Sequence, residues 1–442
     1  MKIQLSDHFT YKKLLQFTIP SVAMMIFTSI YGVVDGFFVS NFTGKTAFAA
    51  VNFIMPLLLV LDAISFMFGA GGNALVSKTM GEGDYKKANS IFSLITYISA
   101  IVGVIIAVLG ILFIRPIASL LGAEGQLLED CVVYAQIVLA VKPFCMLQIE
   151  FQNFFVTAEK PQLGLISTVV AGVTNILLDI LMVVVFRWGI VGAAVATALS
   201  QFAGGLFPLV YFFRPNSSLL RLTKTKYDGN ALARVCTNGL SELLSNASMS
   251  LIGILYNIQL MQFAGEDGVA AYGVLMYVNM IFISIFLGFS VGTAPIIGFH
   301  YGAQNHKELK NLLRKSFIIM GLSSVVMFVL GELLAKPLSW IFVSYDPALF
   351  DLTLRGFELF SYSFLFVGIA ILGSGFFTAL NNGAVSAAIS FMRTLVFQVA
   401  AILILPIFLG IDGIWLSVVV AELMAMILSI LFFILMKKKY QY

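Results

Sequence analysis

The sequence predicts an all-α integral membrane protein of twelve transmembrane helices, laid out as two parallel-repeat six-helix bundles around a central cavity. Three observations carry this. Sixty per cent of the residues are hydrophobic, 11% are charged and the mean hydropathy is +0.98, well outside the usual composition of a soluble domain. Apolar stretches long enough to cross roughly 30 Å of hydrocarbon at 1.5 Å per residue recur along the whole chain. The chain also repeats itself at an offset of half its 442 residues.

In order, the stretches of the first half fall near residues 14–40, 47–77, 89–114, 131–157, 162–186 and 189–213. Those of the second half fall near 235–262, 268–298, 311–335, 352–379, 384–409 and 413–436. The longest polar connection, RPNSSLLRLTKTKYDGNALAR, is too short for a soluble domain. The first stretch is full length and lacks a small-residue cleavage site, so it reads as a span rather than a removable signal. With loops alternating sides, most of the 26 Lys and Arg residues share one side. Among them are Lys12, Lys13, Lys86, Lys87, Arg221, Lys307, Lys310 and Lys437 to Lys439. The positive-inside rule makes that side cytoplasmic. A multi-pass protein of a bacterial plasma membrane, with both termini inside, is the expectation. The basic runs are short and lack interleaved aromatics, so no nucleic acid partner is expected.

The repeat is ungapped. GKTAFAAVNFIM at 44–55 lies over GEDGVAAYGVLM at 265–276, and the same offset of 221 pairs Ser29 with Ser250, Gly81 with Gly302 and Pro116 with Pro337. It goes on through Thr157/Thr378, Gly189/Gly410 and Gly192/Gly413. Two domains follow, 1–221 and 222–442. Six helices return the chain to its starting side, so the halves share one orientation. Parallel repeats of this kind are a transporter plan, with the substrate site between the halves. A monomer is expected, because the repeat already supplies the second bundle.

A carboxylate near mid-membrane costs about 2.5–3.5 kcal/mol on insertion scales, and it normally faces a cavity or a partner. The embedded acids are Asp35, Asp62, Glu150, Asp179 and Glu422. Counting from helix ends brings Asp35 on the first helix, Asn175 and Asp179 one turn apart on the fifth, and Thr197 on the sixth to within roughly two turns of one depth. Their repeat counterparts are Tyr256, Val396, Ala400 and Val418. The scaffold is duplicated and the acidic cluster is not, which favours ion or proton binding over a structural network. Oxygen ligands of this kind suit a hard cation, so Asp35, Asn175, Asp179 and Thr197 form the metal set if the ion is Na+. The same carboxylates could hold protons instead. Asp62, Glu150 and Glu422 are candidates for the substrate cavity. For Asp62 an internal partner is the rival reading, and for Glu422 pairing with Arg393 or Gln398.

Cys131, Cys145 and Cys236 form no CxxC pair. His8, His300 and His306 stand apart from any metal-ligand spacing. Phosphate-loop, GxSxG and zinc-hydrolase patterns are absent. No enzyme and no cofactor other than a coupling ion is expected.

At these residues the chain resembles the multidrug and toxic compound extrusion (MATE) family over essentially its whole length. The likeness rests on IPSVAMMIFTSIYGVVDGFFVSNFTG, GAGGNALVSKTMGEGD, TNILLDILMV and PIIGFHYGAQN. It implies two six-helix bundles forming a V, and export of organic cations and other lipophilic drugs driven by inward H+ or Na+. It makes Asp35 the helix 1 acid, Asn175 and Asp179 the helix 5 pair, Thr197 the helix 6 hydroxyl and Pro20 the helix 1 hinge. Where some members carry a glutamate in helix 4 this chain has Gln152, and Glu150 lies two residues away on another face. The alternative reading is a lipid-linked oligosaccharide flippase of the same plan, whose cavity should be cationic.

Overall fold

The computed structural model describes residues 3–442. In chain order the helices are α1 (Tyr11–Phe42), α2 (Lys45–Gly81), α3 (Tyr85–Leu120), α4 (Gly125–Ala140), α5 (Lys142–Thr157), α6 (Pro161–Asp179) and α7 (Gly189–Phe213). Then come α8 (Gly229–Gly302), α9 (His306–Val343), α10 (Pro347–Ser361), α11 (Phe364–Ala379), α12 (Gly383–Phe391), α13 (Gln398–Leu409) and α14 (Ile411–Tyr440). Two π-helical turns are set into this series, Ile180–Val185 after α6 and Met392–Phe397 between α12 and α13.

Among the described residues nine helices are long and apolar enough to span, or eleven when two bent pairs are joined. The twelfth span is hidden in α8. Its 74 residues would reach roughly 110 Å as one rod, more than three membrane thicknesses. The chain instead turns back at Gly265, at φ 61° and ψ −147°, a conformation open to glycine. Its repeat counterpart Gly44 joins α1 to α2, also at positive φ.

Two spans expected to be continuous are broken. The fourth bends by 59° between α4 and α5, and the tenth by 49° between α10 and α11. In the fourth, Pro143 in the first turn of α5 has no N–H to continue the ladder. In the tenth, Ser361 Oγ bonds back to Phe357 O at 2.7 Å, a contact that bends helices.

The two halves meet along α2 and α8. A Cβ on Gly81 would lie 2.0 Å from Phe299 O, and one on Gly302 would lie 2.0 Å from Lys78 O. These glycines are repeat partners, so the pseudo-twofold axis passes between them and backbone touches backbone there. Nearer the middle, Ser29 Oγ of α1 is 2.5 Å from Ser284 Oγ of α8.

A short strap, residues 5–10, crosses the end of the molecule that carries both termini. Leu5 N–H donates to Glu159 Oε1 at the α5–α6 turn (2.8 Å), and Phe9 N–H donates to Glu308 Oε1 at the start of α9 (2.9 Å). Leu5 and Phe9 are fully buried, so the strap packs on both halves as well as bonding to them.

Candidate functional site

The helix ends and the π turn bring the four predicted residues together. Asn175 Nδ2 donates to Asp35 Oδ1 at 3.3 Å. Asp179 closes α6 one turn later, and Thr197 on α7 faces the same point, both close to Asp35. Asp179 and Asn175 are buried. Both carboxylate oxygens of Asp179, Asn175 Oδ1 and Thr197 Oγ1 are nevertheless without a hydrogen-bond partner. Unsatisfied oxygens in an apolar interior are costly. Thr197 Oγ1 carries a hydrogen of its own, whereas the Asp179 and Asn175 oxygens are acceptors set beside a second carboxylate with no donor aimed at them.

The local backbone helps. The π turn begins at the residue after Asp179, and such widened turns are frequent at functional sites. α1 runs unbroken through Pro20 up to and past Asp35.

Two tyrosines border the cluster that the sequence did not single out. Tyr134 on α4 lies close to Thr197 and within electrostatic reach of Asp35 and Asp179. Tyr31, one turn before Asp35 on α1, lies within reach of Asp35 and Asp62. A tyrosine in an apolar helix reads as packing, and only the fold shows that these two stand beside carboxylates.

In the second half the equivalent place is finished with neutral groups. Tyr256 Oη donates to Gln398 Oε1 at 3.0 Å and lies 2.6 Å from Ser417 Oγ.

The MatE family model matches residues 20–181 and again residues 243–404, one copy in each half. The chain belongs to the MatE family. This MATE chain is 26% identical over 417 residues to the multidrug export protein MepA of Staphylococcus haemolyticus, covering 93% of itself and 90% of that protein. With MepA of Staphylococcus aureus strain MRSA252 the identity is 23% over 431 residues, 97% of this chain and 94% of that one. Among solved structures, an outward-facing multidrug resistance MATE transporter of the MOP superfamily superposes with a TM-score of 0.92 at 24% identity, covering 98% and 97% of the two chains. A MATE in its straight conformation gives 0.92 at 23% identity and 98% of each chain; in the bent conformation the score is 0.88 at 23%, over 98% and 97%. The twelve-helix MATE fold expected from the sequence is the fold observed, and MATE proteins are transporters rather than enzymes.

The three other acids predicted from the sequence each have a partner, although Glu150 Oε2 is left without one. Glu422 takes both its oxygens to Arg393 Nε, at 2.9 and 3.0 Å. Arg393 sits in the second π turn, within electrostatic reach of Glu242 on α8. Asp62 pairs with Lys142 at the bend of the fourth span. Glu150 is fully buried between α3 and α5, where Thr96 Oγ1 donates to it at 3.1 Å. Gln152 Nε2 donates to Thr168 Oγ1 at 3.1 Å. None of Asp62, Glu150 and Glu422 is drawn into the Asp35 cluster.

Proposed function

We propose that this transporter exports organic cations and other lipophilic compounds from a bacterial cytoplasm, in exchange for inward H+ or Na+. Residues 1–221 form the bundle that binds the ion, and residues 222–442 form its partner. Both termini face the cytoplasm, and one chain suffices. The observation that carries the reading is the ring of donor-less oxygens around Asp35, present in the first half only. The equivalent network around Tyr256 in the second half is satisfied as built.

A cation reaching the cluster neutralises it and draws α1, α6 and α7 together around Asp35. The same contraction changes the cavity that the first bundle shares with substrate. Coupling of this kind is reciprocal: whatever the ion does to drug affinity, the drug does to ion affinity. The drug names of the MepA relatives support the substrate class. The flippase alternative is weaker, because Lys142 and Arg393, the well-embedded cations, are each neutralised by a carboxylate.

The test is efflux of a fluorescent organic cation from loaded vesicles, under an imposed Na+ gradient or an imposed pH gradient, in wild type and Asp179→Asn. Drive by one ion, lost in the variant, is the expected result. Export indifferent to both gradients would remove the antiport reading.

A further inference from the structure

Lys142 opens α5 at the bend of the fourth span, and its Nζ lies 2.5 Å from Asp62 Oδ1 on α2. Cys145 Sγ, one turn along, donates to the same oxygen at 3.3 Å. Among the described residues no group donates to Oδ2. The ammonium side chain is 2% exposed and the carboxylate side chain 19%. Asp62 is therefore held from behind by one oxygen and open at the other. Tyr31 lies within electrostatic reach of Asp62, Cys145 and Asp35.

The architecture does not need the pair. The second half bends its tenth span at the equivalent place with Ile283, Ser363 and Phe366 where the first has Asp62, Lys142 and Cys145. Buried ion pairs are seldom a net gain over uncharged residues of similar volume, and the second half has no charge at this place. An embedded charge that the fold can do without is a functional feature by default.

We propose that Asp62 is a substrate-binding residue of the first bundle. Its Oδ2 accepts from the N–H groups of exported cations (protonated amines, amidinium and guanidinium ions), while Lys142 and Cys145 lock the carboxylate in position. Lys142 cancels most of the long-range attraction, so the site selects N–H donors over quaternary ammonium and phosphonium ions. This rests on the export reading above.

The experiment is equilibrium binding to the purified full-length protein of two probes, a fluorescent bis-amidine and tetraphenylphosphonium. The variants are Asp62→Asn with Lys142→Met, which leaves no charge unmatched, and Asp62→Ile with Lys142→Ser, which copies the second half. The second double variant guards against misfolding of the first, with folding checked by size-exclusion chromatography. The bis-amidine Kd is expected to rise about tenfold or more in the variants, the loss of a hydrogen bond to a charged group. The phosphonium Kd should stay within about twofold. Equal weakening of both probes, or of neither, overturns the Asp62 site while leaving the export reading in place. A wild-type protein that binds neither cation overturns both.

Discussion

Asp35 and Tyr256 hold equivalent places on the first helix of each half, 221 residues apart in sequence, and are completed in opposite ways. Tyr256 is closed by Gln398 and Ser417 and stacks on Tyr272, ring centroids 4.9 Å apart. Asp35 receives one long hydrogen bond, and the oxygens facing it have none. Duplication supplied two copies of one three-helix corner. One copy has its polar side chains paired with each other, and the other leaves buried acceptor oxygens unpaired.

This contrast makes a prediction about which half tolerates change. Asp35→Asn and Asp179→Asn should each abolish gradient-driven efflux while expression stays near wild type. Tyr256→Phe should keep transport and cost about 1 kcal/mol of stability, in line with side-chain hydrogen bonds inside membrane bundles. Efflux and thermal unfolding of the purified proteins, measured side by side, decide the matter. A Tyr256→Phe variant that loses transport but not stability would place function in the wrong half.

Much of this was legible in the sequence, for definite reasons. Spans announce themselves because hydrocarbon demands a minimum apolar length. The cluster was legible because a carboxylate in such a run is expensive, and because the repeat showed that the scaffold did not require it. Asp62 and Glu422 were visible as embedded acids, and Arg393 was already a candidate partner for Glu422, but Lys142 could not be matched to Asp62 before α2 and α5 were placed. The bends at Val141 and Tyr362 and the two π turns left no mark that hydropathy registers. Tyr31 and Tyr134 were invisible because an aromatic residue in a greasy helix has no distinguishing context.

The Arg393–Glu422 pair allows a sharper test of stability. Removing the guanidinium in Arg393→Leu leaves Glu422 buried against apolar helices without its partner. Breaking such a pair costs about 3–5 kcal/mol, so the variant should lose most of its folded yield. The double variant Arg393→Met with Glu422→Leu should recover most of that loss. A fluorescence-detected thermal melt of both variants and the wild type gives the comparison, and a double variant no more stable than Arg393→Leu would show that the two residues act independently.

The seam at Gly81 and Gly302 predicts a steric effect rather than an electrostatic one. A methyl group at either position would sit 2.0 Å from a carbonyl oxygen of the other half, too close without moving a backbone. Overpacking of this sort costs about 1–3 kcal/mol. Gly81→Ala and Gly302→Ala should each part α2 from α8 at the end carrying the termini and lower the melting temperature. Gly253→Ala is the control, since a Cβ there would meet nothing within 4 Å. Equal melting temperatures for all three would mean that the seam is looser than the backbone contacts indicate.

The strap gives the last prediction. Glu308 holds it through the Phe9 amide at 2.9 Å and through His8, whose Nδ1 is 2.6 Å from Oε2; Asn311 Nδ2 donates to the same carboxylate at 2.7 Å. Glu159 holds the other end in the first half. If the proposed exchange of drug for cation works by rocking one bundle against the other, the α5–α6 turn parts from the start of α9, and the strap then has to let go at one end. Glu308→Ala removes the anchor on the second half, while Leu5 stays tied to Glu159. Amide hydrogen exchange of the N-terminal peptide should therefore quicken about tenfold or more at Phe9, with a much smaller change at Leu5. Exchange that quickens equally at both amides would mean that the strap opens as one unit. Unchanged exchange would mean that burial of Phe9, and not the carboxylate, holds the terminal end shut.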